Sequence, residues 1–103
     1  MARVIVSDHA DQRIRKRMGV KRKAVQKIAE KAYKNGLNFS DTNGRLKDYL
    51  AYLYATRSKS EIYKVWNQMI FIYDHGVLIT VKPVPKAHHK RAMLLQANTG
   101  TEG

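Results

Sequence analysis

The chain has 103 residues, with 20 Lys or Arg against 8 Asp or Glu, a formal charge of +12, 44% hydrophobic residues and no cysteine. That length supports one domain with a modest core and excludes a large substrate cavity or a separate cofactor domain. Without cysteine there are no disulfides, thiolate metal sites or catalytic thiol, which fits a reducing, cytoplasmic setting; the charge points to polyanionic partners.

RVIVS, residues 3–7, reads as a short strand or an extended lead-in. The apolar run here is too short for a secretion signal. No window approaches the roughly 18 apolar residues of a membrane span, so a soluble chain with no membrane partner is expected. Ser7 or Asp8 can cap a helix beginning near His9 and ending at Gly19. Within it Ala10, Ile14 and Met18 form a buried stripe. His9, Arg13 and Arg17 repeat the same spacing one residue earlier, as a column beside that stripe.

From Val20 to Asn35 the apolar positions Ala24, Val25, Ile28, Ala29, Ala32 and Tyr33 predict an amphipathic helix stopped by Gly36, with Lys23, Lys27, Lys31 and Lys34 outside. NFSDTNGR, residues 38–45, is a connector rich in turn formers. Leu46, Tyr49, Leu50 and Leu53 then predict a third helix from Arg45 to Thr56, a strand being the alternative because YLAYLY carries β-favouring aromatics.

EIYKVW, QMIFIY and VLITVKPV read as three strands of an antiparallel meander. An Asn67-Gln68 turn pairs Val65 with Ile70 and Tyr63 with Ile72. A three-residue Asp74-His75-Gly76 loop pairs Tyr73 with Val77, Ile72 with Leu78 and Ile70 with Thr80. One face then carries Ile62, Lys64, Trp66, Met69, Phe71, Tyr73, Ile79 and Val81, the bed for the helices. The other carries Glu61, Tyr63, Val65, Ile70, Ile72, Leu78, Thr80 and Lys82, the composition of a shallow binding surface. Pro83 and Pro85 end the sheet. The expected plan is thus α+β, with N-terminal helices on one face of a three- or four-stranded antiparallel sheet; the domain spans 1–86, and a tail over 87–103 is first basic and flexible from about Asn98.

Chemistry is left to His, Arg, Lys, Tyr, Thr and the carboxylates. Lys and Arg neutralise phosphates, and Arg15, Lys16, Lys21, Arg22, Lys23, Lys27 and Lys82, with Tyr63 as an aromatic, are the candidate nucleic-acid contacts. RNA cleavage without metal needs a base for the 2′-hydroxyl, an acid for the leaving oxygen and cations for the phosphorane. His9 beside a column of guanidinium groups fits that need. His75 sits in a tight turn, and the adjacent His88 and His89 cannot share a helix face, so no metal site and no cofactor are expected. No glycine-rich phosphate loop or serine elbow is present.

DHADQRIRKRMGV resembles the helix, His-Ala followed by Arg, Arg and Gly, that opens small ribonuclease-like domains of bacterial toxins and phage proteins, and GVLITVKPVP resembles their last strand. These belong to the superfamily of barnase, EndoU, colicin and RelE-type nucleases, whose plan is N-terminal helices followed by a four-stranded antiparallel sheet. The resemblance runs over residues 5–86 in order of elements, with the motifs at its two ends. Met18 and Gly19 stand where many relatives have Arg-Gly. It implies that His9, Arg13 or Arg17, and Thr80 share a catalytic cleft, His9 as acid or base and the others on the scissile phosphate. The expected function is a small RNA-cleaving or RNA-binding domain, with RNA ahead of DNA as partner. The alternatives are a non-catalytic binder that blocks a nucleic-acid-processing machine and an inhibitor that meets an acidic protein partner. The oligomeric state is left open.

Overall fold

The structure, a computed structural model, describes residues 4–57 and 60–100. The chain is α+β: strand β1 (Ile5–Val6), helices α1 (Asp8–Met18), α2 (Arg22–Asn35) and α3 (Gly44–Ala55), strands β2 (Glu61–Trp66), β3 (Met69–Asp74) and β4 (Val77–Pro83), and helix α4 (His89–Gly100). Single 3-10 turns at Phe39–Asp41 and Lys86–His88 precede α3 and α4.

Local chemistry sets these limits. The Ser7 hydroxyl accepts from the Ala10 N–H and so caps α1, while Gly19 ends it at φ 65°, a left-handed conformation that costs glycine nothing. The alternative strand over 45–56 loses to the helix because Leu46, Leu50 and Leu53 then share one buried face.

The sheet order is β1-β4-β3-β2. The β2, β3 and β4 strands form the expected antiparallel meander, and the residues around Ile5 supply a fourth strand, parallel to β4, which makes the sheet mixed. The first hairpin has the expected register, Val65 facing Ile70 and Tyr63 facing Ile72. Asn67 and Gln68 both take positive φ there, as a two-residue primed turn requires.

The second hairpin differs from expectation. Asp74 pairs with Val77, so the loop is His75 and Gly76 alone, both at positive φ, and a bulge then shifts the register so that Thr80 rather than Leu78 faces Ile72. The extra residue in β4 reverses the alternation. Leu78 moves to the face with Val81, leaving Thr80 on the other.

Both faces are covered. Ala10, Ile14, Val25, Ala29 and Ala32 from α1 and α2 pack on Met69, Phe71, Tyr73, Leu78 and Val81. Leu46, Leu50 and Leu53 from α3, with Ala92 from α4, pack on Tyr63, Val65, Ile70 and Ile72. The second face, read as a shallow binding surface, is therefore mostly core. Residues 87–100 of the stretch read as a tail are helical, with Ala92 buried in that core; residues 101–103 lie outside the described residues.

Candidate functional site

Because β1 is only two residues long, it covers just the start of the β4 edge. The chain then turns into α1, which lies along the rest of that edge. Ser7 fixes the crossing: besides capping α1, its hydroxyl donates to the Ile79 carbonyl at 2.9 Å, at the bulge. In the first turn of the helix, His9 Nε2 lies 3.1 Å from Thr80 Oγ1. Thr80 is 7% exposed, whereas His9 is exposed, so the threonine anchors one edge of an imidazole that solvent reaches from the other.

His9, Arg13, Ile79, Thr80 and Lys82 line a cleft of about 260 Å³, together with Arg57 from the segment after α3. The bulge makes this possible, since it is what turns Thr80 out of the α1–α2 core and onto the face that Arg57 approaches. A neighbouring groove, lined by His9, Gln12, Arg13, Lys16 and Arg17, continues down α1, and Arg17 leads on to Asn67, Gln68 and Pro83. The helical spacing of His9, Arg13 and Arg17 thus makes one continuous wall in which the two arginines carry the positive charge. Among the described residues no carboxylate forms an ion pair with Arg13, Lys16 or Arg17, so their charge stays available to an anion.

Arg57 is the member that sequence reasoning missed. Its Nε and Nη2 donate to the two oxygens of Glu61 at 2.7 and 2.9 Å, a bidentate fork on a carboxylate only 6% exposed. Hydrogen bonding to Glu61 raises the guanidinium pKa further, with desolvation opposing. The four-residue spacing from Arg57 to Glu61 was the available signal, but Arg57 lies past the end of α3 and Glu61 opens β2, so the pair does not share a helix.

The other candidates divide. Arg15 and Arg22 both reach Asp11, which staples α1 to the start of α2 and engages those two charges away from the cleft. Lys21, Lys23 and Lys27 are exposed on α2 and line neither the cleft nor its neighbouring groove. Tyr63 does not offer a face for stacking on a base. It is 1% exposed, stacked on Tyr54 at 4.2 Å between ring centroids, and burial, with Glu61 nearby, pushes its hydroxyl up to about 12. His75 pairs with Asp74 in the exposed turn, and His89 contacts the Val84 carbonyl.

Among the described residues no three His, Asp or Glu side chains gather as ligands for a metal ion, and no helix is long and apolar enough to cross a membrane. No family model, curated protein or solved structure matches the chain.

Proposed function

We propose that the chain is a small RNA-engaging domain of the ribonuclease-like kind, and that the cleft between α1 and β4 seats one backbone phosphate for cleavage without metal. The observation that carries this reading is the pairing of His9 Nε2 with Thr80 Oγ1 at 3.1 Å in a cleft whose other polar walls are Arg13, Arg57 and Lys82. Arg13 and Lys82 neutralise the phosphate and the charge that grows on it, Arg57 being already forked onto Glu61, and Thr80 holds the imidazole in one orientation. The 2′-oxygen bonds to phosphorus, the bond from phosphorus to the 5′-oxygen breaks, and His9 either takes the 2′ proton while water protonates the leaving 5′-oxygen, or protonates the 5′-oxygen while water takes the 2′ proton. The products are a 2′,3′-cyclic phosphate and a 5′-hydroxyl.

The test is incubation of single-stranded RNA and of the matching DNA with purified protein in EDTA. The expected outcome is RNA cut to cyclic-phosphate ends, DNA intact because it lacks the attacking hydroxyl, and at least a hundredfold loss of rate in His9→Ala. That variant should keep the wild-type circular dichroism spectrum, because His9 is exposed. RNA left intact at high protein concentration overturns cleavage.

A second reading, a binder that holds RNA without cutting it, is favoured by one observation. Among the described residues His9 is the only imidazole lining the cleft, and both oxygens of Glu61 are held by Arg57, so no second imidazole or free carboxylate stands ready there. RNA that binds tightly and remains whole selects this reading.

A further inference from the structure

Two arginines mark the two ends of α3. Arg57, just past its C-terminal end, lines the cleft. Arg45, in its first turn, lines a separate groove of about 500 Å³ together with His88, Lys90 and Arg91 from the segment that opens α4. Among the described residues no acid lines that groove. It is a built surface as well: Arg91 donates to the Asn43 side chain at 3.0 Å and its guanidinium lies against Gly44, which opens α3 at a φ of 62°.

Between these sites runs one flank of α3. Its opposite flank is occupied, with Lys47 over the Phe39 ring and Tyr54 stacked on Tyr63 of β2. Arg45, Tyr49, Tyr52 and Thr56 follow one another at intervals of three or four and form the remaining flank, turned away from β2. Tyr49 packs on His88 with ring centroids 5.6 Å apart, which places this flank beside the segment leaving β4. Tyr52 is 65% exposed, a large aromatic side chain with most of its surface in solvent.

A helix length and a chain reach bound the separation. At 1.5 Å per residue α3 spans about 15 Å from Arg45 to Ala55, and Arg57 follows two residues past that end, so the two arginines stand roughly 18 Å apart. The chain from Lys82 in the cleft to Ala87 in the groove can span at most about 18 Å even when extended. At the stacked spacing of about 3.4 Å per nucleotide, that is the length of about five nucleotides.

We infer that single-stranded RNA held in the cleft continues along this flank of α3, with a base stacked on Tyr52 and its far phosphates in the Arg45–Lys90 groove. This rests on the RNA reading of the cleft and extends it from one phosphate to a track. Cations at both ends with an aromatic platform between them are what sequence-tolerant binding of a single strand requires. Asp48, the one acid of α3, is exposed on the helix and opposes the phosphates that pass it.

The test is fluorescence anisotropy of the full chain with 2′-O-methyl oligouridines of two to twelve nucleotides, which lack the attacking hydroxyl. For the wild type, affinity should climb with length and level off at about six to eight nucleotides. Tyr52→Ala should weaken binding of the twelve-mer about tenfold, within the range for one stacked base, and leave the dinucleotide unchanged. Arg45→Gln with Lys90→Gln should reduce the salt slope for the twelve-mer by about 1.4, two phosphates' worth for a single strand. Asp48→Asn should tighten it. A wild type that binds the twelve-mer while these variants match it overturns the track and leaves the cleft reading standing. A wild type that binds none of the oligomers overturns both. Displacement of the twelve-mer by polyglutamate at equal charge concentration overturns the RNA track and assigns the flank to an acidic protein.

Discussion

Tyr63 illustrates how a residue can be read correctly for position and wrongly for role. Strand alternation placed it in the same row as Thr80, and the structure keeps that row: Tyr63 faces Ile72, which faces Thr80. What alternation could not supply was the cover of α3, which buries the ring and leaves the hydroxyl without a hydrogen-bond partner among the described residues. A buried hydroxyl without a partner costs roughly 1–3 kcal/mol. Tyr63→Phe should therefore raise the melting temperature at neutral pH, and it should leave RNA binding unchanged. The same burial sets a dependence on pH. With a folded pKa of about 12, above the ordinary 10 for tyrosine, the native state retains a proton that the unfolded chain loses first. Stability from this group is complete below pH 10 and is lost as the pH rises toward 12. Denaturation followed by circular dichroism across that window should begin later in Tyr63→Phe than in the wild type.

At the level of elements, legibility depended on whether a pattern was local. Ser7, Gly19 and the stripe of Ala10, Ile14 and Met18 lie within one helix, and α1 follows from them. The turn at Asn67 and Gln68 likewise fixed the register of the first hairpin. The bulge in β4 left no trace, because in VLITV both phases of the alternation are apolar or β-branched, and only packing from both sides decides between them. α4 was missed for a related reason: KAHHKRAMLLQ reads as polar, and its Met93 and Leu94 remain exposed while Ala92 makes the buried contact. Arg57 was hidden in a polar loop, so only the cleft itself brought it to His9. His9 and Thr80 were expected together from a motif likeness rather than from any pattern in the residues themselves, and the mechanical basis of their meeting was not legible at all. Ser7 supplies that basis, since one hydroxyl both caps α1 and holds it to the bulge. Ser7→Ala should cost about 1–2 kcal/mol in urea denaturation, the upper range for an N-cap. It should also reduce RNA cleavage or binding by more than Ser7→Thr, which keeps the hydroxyl.

Across the whole molecule, the question is whether +12 acts as a diffuse cloud or as a few placed contacts. The structure divides the charge geometrically. Arg13, Lys16, Arg17, Arg57 and Lys82 border the β4 edge, whereas Lys23 and Lys27 stand on the outer face of α2, with the α1–α2 core between that helix and the sheet. Charge that contacts phosphate releases counterions and enters the salt slope of the equilibrium, while charge that only shapes the surrounding field raises the rate of encounter and is screened over about 10 Å at 0.1 M salt. Removing two charges from each group separates the roles. Lys23→Gln with Lys27→Gln should slow association with RNA at low salt and leave the salt slope of the affinity unchanged. Arg13→Gln with Arg17→Gln should lower the slope by about 1.4 for a single strand. Stopped-flow association and equilibrium titrations at three or four salt concentrations read both quantities. Equal slopes lost from both pairs would mean that RNA wraps α2 as well, and the cleft at the β4 edge would then be one contact among many rather than the place where the strand is held.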